Sequence, residues 1–200
     1  KLMKGFIGTA NIDTNSRLCM ASSVAGHKRA FGSDTVPGCY EDLELADLLV
    51  LVGSNAAWCH PVLHQRMTAA KDQNPACRIV VIDPRRTATC EGADLHLPLR
   101  PGSDAVLFNG LLAAFKRANA VDGSFVRAFT TGVDTALDAV GDQTVAETAD
   151  ICGLTEGAVE RFFEWFIKTE RTVTLYSQGI NQSSSGVDKV NAALEGTEWA

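Results

Sequence analysis

Leu48-Leu49-Val50-Leu51-Val52 runs straight into Gly53-Ser54-Asn55, and this stretch decides the fold. Five consecutive apolar residues, without the alternation of a half-exposed strand, are what a strand buried on both faces looks like. Three more runs have the same form, each followed at once by a polar, small-residue loop. Ile79-Val80-Val81-Ile82 leads into Asp83-Pro84-Arg85-Arg86-Thr87, and Leu95-His96-Leu97-Pro98-Leu99 into Pro101-Gly102-Ser103-Asp104. Thr172-Val173-Thr174-Leu175-Tyr176 leads into Ser177-Gln178-Gly179-Ile180-Asn181-Gln182. Between the runs lie helical patterns: Pro61–Lys71, Asp104–Ala118 with Ser103 as its cap, and Glu156–Lys168 with Thr155 as its cap. Phe162, Phe163, Trp165 and Phe166 follow helical spacing and read as core. Strand alternating with helix predicts an α/β fold of three layers, a mostly parallel, Rossmann-like sheet with helices on both faces.

Composition bounds the function. The chain has 200 residues, 18 Lys+Arg against 24 Asp+Glu, and a net charge of −6. An acidic total argues against binding nucleic acid through its phosphates. No apolar run approaches the ~18 residues of a membrane span. Seventeen Gly and six Pro are too few for a disordered or fibrous chain. Six cysteines, at 19, 39, 59, 77, 90 and 152, never form Cys-x-x-Cys, which excludes a local zinc knuckle or iron–sulfur motif. They read as reduced thiols of a cytoplasmic protein. His60 and His64 share a helix face, but Pro61 between them marks a helix start and no third ligand is evident. Lys1–Ile7 reads as the tail of a helix, and the helix beginning at Gly186 stops at Leu194, so the expectation is an internal segment of a larger protein.

In an open parallel sheet, ligands bind beyond the carboxyl ends of the strands, where all four polar loops fall. Gly53 lets backbone approach a phosphate, and Ser54 and Asn55 supply donors at a helix start. Asp83 is placed to accept from ribose hydroxyls or a guanine edge; Arg85 and Arg86 can balance phosphate charge. Asp104 is a second acceptor. Each loop alone is an ordinary turn; four at one sheet edge make a site. There is no G-x-G-x-x-G. Upstream, Asp13, Thr14, Asn15 and Ser16 cluster as capping residues before a helix expected to reach Phe31. Cys19 then falls in the first turn, where unpaired N–H groups favour a thiolate, as a nucleophile or soft-metal ligand needs. A buried, inert cysteine fits the same residues equally well.

Together these stretches resemble a known family. Lys1–Leu112 is similar to the catalytic subunit of molybdenum-dependent bacterial nitrate reductases, the assimilatory, cytoplasmic type nearest. The resemblance rests on residues 8–20 (Gly-Thr-Ala-Asn-Ile-Asp-Thr-Asn-Ser-Arg-Leu-Cys-Met), on Arg29–Asp34, and on Cys39-Tyr40-Glu41-Asp42. Gly53-Ser54-Asn55 with Trp58-Cys59-His60-Pro61, Asp83–Thr87, Pro101–Asp104 and Gln178–Gln182 complete it. It weakens from about Asn119 to Arg171 and fades after Ala192. It implies nitrate as substrate and a molybdenum bis(molybdopterin guanine dinucleotide) cofactor, with Cys19 as the catalytic residue and the thiolate on the metal. Asn15, Gly53, Ser54, Asn55, Asp83, Pro84, Arg85, Arg86, Thr87, Gly102, Ser103, Asp104, Gln178, Gly179 and Gln182 match cofactor-contacting positions. Residues 1–176 would form the guanine dinucleotide-binding domain, entered by a helix and loop over 1–18, and 177–200 the start of a neighbouring segment. Electrons would come from a donor protein or domain through a [4Fe-4S] cluster whose cysteines are not in this sequence. A formate dehydrogenase of the same superfamily and a non-catalytic nucleotide-binding module are the competing readings.

Overall fold

A computed structural model describes residues 1–13 and 16–198. Asn15, expected in the site, lies outside the described residues. The chain opens with an exposed π-helical turn at Leu2–Ile7, then α1 (Ser16–Cys19), α2 (Ala21–Phe31) and α3 (Asp42–Leu45). β1 (Leu48–Val52) follows, then α4 (Ala56–Cys59), α5 (Pro61–Gln73), β2 (Arg78–Ile82) and β3 (Leu95–Leu97). Five helices precede the last strand: α6 (Asp104–Ala118), α7 (Gly123–Phe129), α8 (Val133–Val140), α9 (Val145–Cys152) and α10 (Glu156–Lys168). β4 (Thr172–Tyr176), α11 (Gln178–Asn181) and α12 (Gly186–Glu198) complete the order.

All strands are parallel, in the spatial order β3-β2-β1-β4. The chain therefore builds outward from β1 in one direction, then returns to place β4 on the other side. That reversal is the switch point at which such sheets open a crevice. Val52 pairs with both Ile82 and Tyr176, so β1, β2 and β4 end level.

The apolar runs behave as their pattern requires. Leu48, Val50, Val52, Val80, Ile82 and Leu97 face one core with Leu111 and Phe115 of α6, Phe162 and Phe166 of α10, and Val190 of α12. Leu49, Leu51, Ile79 and Val81 face a second core with Leu43, Met67 and Cys90. Both faces of β1 and β2 are thus covered, giving three layers. At roughly 1.5–3 kcal/mol per fully buried aliphatic side chain, β1 is the best-anchored element of the sheet. β4 differs: all five of its residues are only half-buried.

Three expectations are corrected. The third strand ends at Leu97, because Pro98 has no N–H for the ladder, although Leu99 is still buried. Ser103 and Thr155 stand at the N-cap positions, yet neither side chain caps; Ser103 Oγ donates to Arg100 O at 2.7 Å. The helix expected to run unbroken to Phe31 is interrupted at Met20, so Cys19 ends a separate four-residue turn. The cause is tertiary: Cys19 O, which a continuous helix would use for its own ladder, accepts instead from Gln182 Nε2 at 3.2 Å.

Candidate functional site

The site is built at the switch point, where the segments after β1 and β4 touch. Gly53 has φ +54°, which only glycine adopts cheaply, and its O accepts from Gly179 N at 3.1 Å. A Cβ on Gly53 would lie 2.8 Å from Gly179 Cα, and one on Gly179 would lie 2.6 Å from Gly53 Cα. Two glycines are needed for two backbones to meet here. The meeting places the start of α11 beside the loop that leads into α4, with Ser54 buried between sheet and loop.

Cys19 arrives at the same rim from upstream. Gln182, just past α11, donates Nε2 to Cys19 Sγ at 2.9 Å as well as to Cys19 O. The carbonyl accepts only, so it fixes which end of the Gln182 amide faces the sulfur. Cys19 is exposed. Cys77 and Cys152 are buried, and burial pushes both thiols up from their ordinary range. Cys90 is buried too, while Cys39 and Cys59 are exposed; all six are free. Among the described residues, no cluster of three His, Cys, Asp or Glu could hold a metal, so His60 and His64 stay without a third partner.

After β2, Asp83 accepts from Arg85 N at 2.8 Å, an Asx turn that folds the loop across the strand end. Its own O is held by His96 Nε2 at 2.9 Å. Pro84, Arg85 and Arg86 are exposed, and among the described residues neither guanidinium has an ion-pair partner. Thr87 Oγ1 is buried with no hydrogen-bond partner. A buried polar atom left unpaired costs roughly 1–3 kcal/mol, which a ligand group at that point would recover.

The loop after β3 sits differently. Gly102 is exposed with φ +97°. Asp104 is already committed: its carboxylate pairs with Lys189 of α12 at 3.3 Å, both side chains nearly buried. Lys189 also donates to Ser183 Oγ at 2.9 Å, tying the stretch after Gln182 to the start of α6. Gln178 is exposed and accepts from Ser177 Oγ at 2.7 Å. Asn55 Oδ1 accepts from Thr89 Oγ1 at 3.1 Å, and Thr89 Oγ1 accepts from Ala57 N at 3.1 Å.

Several supporting residues escape a reading of the sequence. Lys189 and Thr89 are two; neither stands in a motif. A third group is Ser23, Tyr176 and His27. His27 Nδ1 donates to Thr35 O at 2.6 Å, so Nε2 accepts from Tyr176 Oη at 2.8 Å, and Ser23 Oγ bonds Tyr176 Oη. Burial raises the Tyr176 phenol, and the Ser23 bond partly offsets this. These bonds pin α2, which follows Cys19, to the strand end that leads to Gln182.

Comparison with known proteins shows the family. The model of the molybdopterin oxidoreductase family matches residues 1–195. A nitrate reductase of Klebsiella oxytoca is 57% identical over 97% of this chain and 22% of its own length. The alpha subunit of an F420-dependent formate dehydrogenase of Methanocaldococcus jannaschii is 32% identical over 96% of this chain and 28% of its own length. Among solved structures, acetylene hydratase from Pelobacter acetylenicus superposes with a TM-score of 0.73 over 90% of this chain and 24% of its own, at 24% identity, a likeness of fold. The chain thus spans about a fifth to a quarter of the length of the proteins it matches. The residues present fit the cofactor that this family takes its name from. The Gly53–Gly179 contact brings two bare backbones together at the rim, Thr87 Oγ1 lacks a partner, and the two guanidinium groups just before it are exposed. No helix among the described residues is long and apolar enough to cross a membrane. The chain belongs to the molybdopterin oxidoreductase family, whose cofactor is a molybdopterin.

Proposed function

We propose that this chain is part of a nitrate reductase that reduces nitrate to nitrite at a molybdenum bis(molybdopterin guanine dinucleotide) centre. The observation that supports the proposal is the Cys19–Gln182 contact beside the Gly53–Gly179 crossing, which sets an exposed sulfur at the rim beyond the carboxyl ends of β1 and β4. In this reading residues 1–176 bind one guanine dinucleotide and 177–200 begin the adjoining segment.

The side chains divide the work. Cys19 supplies a soft, charged sulfur to the metal, and Gln182 holds that sulfur in place through its amide donor. Gly53 and Gly179 let the loops after β1 and β4 meet backbone to backbone, with Ser54 and Asn55 following Gly53; Asn15 is assigned a cofactor contact by resemblance alone. Asp83 accepts from ribose hydroxyls or the guanine edge, Arg85 and Arg86 balance phosphate charge, and Thr87 Oγ1 gains the partner it lacks. Pro84 stiffens the turn that presents the two arginines. Gly102, Ser103 and Asp104 bound the far side, and Gln178 the near side. When bound, the cofactor would supply the two-electron redox chemistry for removing an oxygen from nitrate, at a metal that Cys19 would hold. Electrons come from a [4Fe-4S] cluster and a donor protein or domain outside residues 1–200. Six free thiols suit a reducing, cytoplasmic setting.

The test uses the purified full-length protein. Acid release should yield guanine nucleotide at about two per molybdenum, and a reduced dye should drive nitrate reduction. Formate oxidation without nitrate turnover would replace this reading with a formate dehydrogenase. Absence of both molybdenum and nucleotide would reduce it to a binding module.

A further inference from the structure

Cys19 and Gln182 belong to two segments that are joined a second time, four residues further along α2. Ser23 Oγ bonds Oη of Tyr176, the last residue of β4, and Tyr176 Oη also donates to His27 Nε2 at 2.8 Å. Residues 19–23 and 176–182 therefore form a ring closed by two side-chain contacts, Cys19–Gln182 at one end and Ser23–Tyr176 at the other. The protons of the second contact have one arrangement. Thr35 O only accepts, so His27 Nδ1 carries the hydrogen of their 2.6 Å bond, and in the neutral ring Nε2 is the acceptor. Tyr176 then donates to His27 and accepts from Ser23. One phenolic oxygen thus grips two residues four apart on one face of α2. Ser23 and His27 are buried, and burial raises the phenol above its ordinary range, which keeps it protonated. Polar bonds in such surroundings hold their geometry, because an unmade one leaves a buried group unsatisfied. α12 packs on the same helix: Asn191 Nδ2 donates to Gly26 O at 2.9 Å, and a Cβ on Gly26 would lie 2.5 Å from Val190 Cγ1.

We propose that Tyr176 is a positioning residue for Cys19: its hydroxyl, bonded to Ser23 and His27, fixes the start of α2 against the strand that leads to Gln182, and so sets where the sulfur meets the metal. This role deepens the reading of Cys19 as the metal's ligand and rests on it. Groups bonded behind a metal ligand orient it and tune its hold on the metal. Phenylalanine at 176 would keep the edge contact with the His27 ring, whose centroid lies 6.0 Å away, and remove only the hydroxyl. Ser23 Oγ and His27 Nε2 would both lose a partner, and one of the two closures of the ring would open. Cys19 would then be placed by Gln182, which follows a helix of only four residues.

Tyr176→Phe in the full-length, molybdenum-loaded protein tests it through the electron paramagnetic resonance of the half-reduced metal, which reports ligand geometry whichever substrate the enzyme takes. Molybdenum and guanine nucleotide content should match the unaltered protein, and the signal should shift or split. Turnover per molybdenum should fall about tenfold or more with KM for nitrate little changed, as for a misplaced reacting group. Ser23→Ala, which leaves the Tyr176–His27 bond in place, should show the same change in smaller degree. Thr144→Ala, which weakens the fold through a cap that serves its own helix, should leave signal and turnover as they were. A Tyr176→Phe signal superimposable on the unaltered one, or turnover within about twofold of it, would overturn the proposal, since the hydroxyl would then serve stability alone. So would loss of molybdenum from both Tyr176→Phe and Ser23→Ala, because a positioning role leaves the metal bound. Cys19→Ser, measured alongside, separates the two claims. A signal unmoved by Cys19→Ser overturns the ligand assignment and the positioning role with it; a signal moved by Cys19→Ser and not by Tyr176→Phe overturns the positioning role alone.

Discussion

The helices between Asp122 and Gly153 and the helices at the rim begin in opposite ways. In the first group α7 and α9 are capped by their own N-cap side chains, while α8 starts at Gly132 without one. Asp122 Oδ1 accepts from Ser124 N at 2.8 Å and Phe125 N at 3.0 Å. Thr144 and Glu147 form a reciprocal capping box, with Glu147 Oε2 accepting from Thr144 N at 2.8 Å. At the rim, Asn55, Ser103 and Ser177 occupy N-cap positions and are good capping residues, yet none caps. Their side chains turn to Thr89, to Arg100 O and to Gln178 instead. α7 and α9 thus satisfy their own first turns from within. At the rim the cap side chains are drawn elsewhere, within the same loop for Ser103 and Ser177 and across to the segment after β2 for Asn55.

The largest effect that would sharpen this contrast comes from the Asp104–Lys189 pair. Lys189→Met should cost about 3–5 kcal/mol by leaving a buried carboxylate unpaired. Adding Asp104→Asn should recover part of that in denaturant unfolding, and a single-mutant loss under ~1 kcal/mol would mean the pair is not a strut. Gly179→Ala comes next, at roughly 2–3 kcal/mol, because its Cβ meets Gly53 backbone that cannot move aside. Gly157→Ala, with nothing within 4 Å, is the control and should be neutral or slightly stabilising. Thr144→Ala should cost about 1 kcal/mol and leave cofactor content unchanged, since that cap serves only its own helix.

Smaller still is the acid response of the capped region. Backbone N–H bonds hold the Asp122 and Glu147 carboxyls below their usual range. A carboxyl lowered by folding contributes stability that is fully present above its unfolded pKa and is lost as pH falls through the folded value. Protection of the amides at residues 122–153, taken relative to the free-peptide rate at each pH, should therefore fall below about pH 4, before that of the strands does. Earlier loosening of β1 would contradict it. The double variant Arg85→Ala, Arg86→Ala should change stability by less than about 0.5 kcal/mol while lowering bound guanine nucleotide in the full-length protein.

What the sequence displayed and what it hid follow the same division. The runs of β1 and β2 disclosed the sheet because burial on both faces leaves no room for polar residues; β4 is only half-buried and still pairs with β1. Gly53 and Asp83 stood out because strand-to-loop junctions carry recognisable residues. The break after Cys19 was hidden, since it depends on Gln182, far away in the chain, taking the carbonyl that a helix would have used. Ser103 misled for a related reason: a residue that caps well in isolation was drawn to Arg100 O. Lys189 and Thr89 carry no local signature, and only the packing of α12 on α6 and of α4 beside residues 88–92 brings them to the rim. Asp104 was visible as an acceptor, but its partner was not.

Cys19 as the metal's protein ligand is tested most directly by X-ray absorption at molybdenum in the full-length protein. Cys19→Ser should remove one sulfur from the metal's shell and abolish or nearly abolish nitrate reduction, because a serine hydroxyl is harder and far less acidic than a thiol. The same substitution at Cys39, Cys59, Cys77, Cys90 or Cys152 should leave the shell intact. An unchanged sulfur count in Cys19→Ser, or near-normal turnover, would contradict the assignment and move the metal's ligand elsewhere.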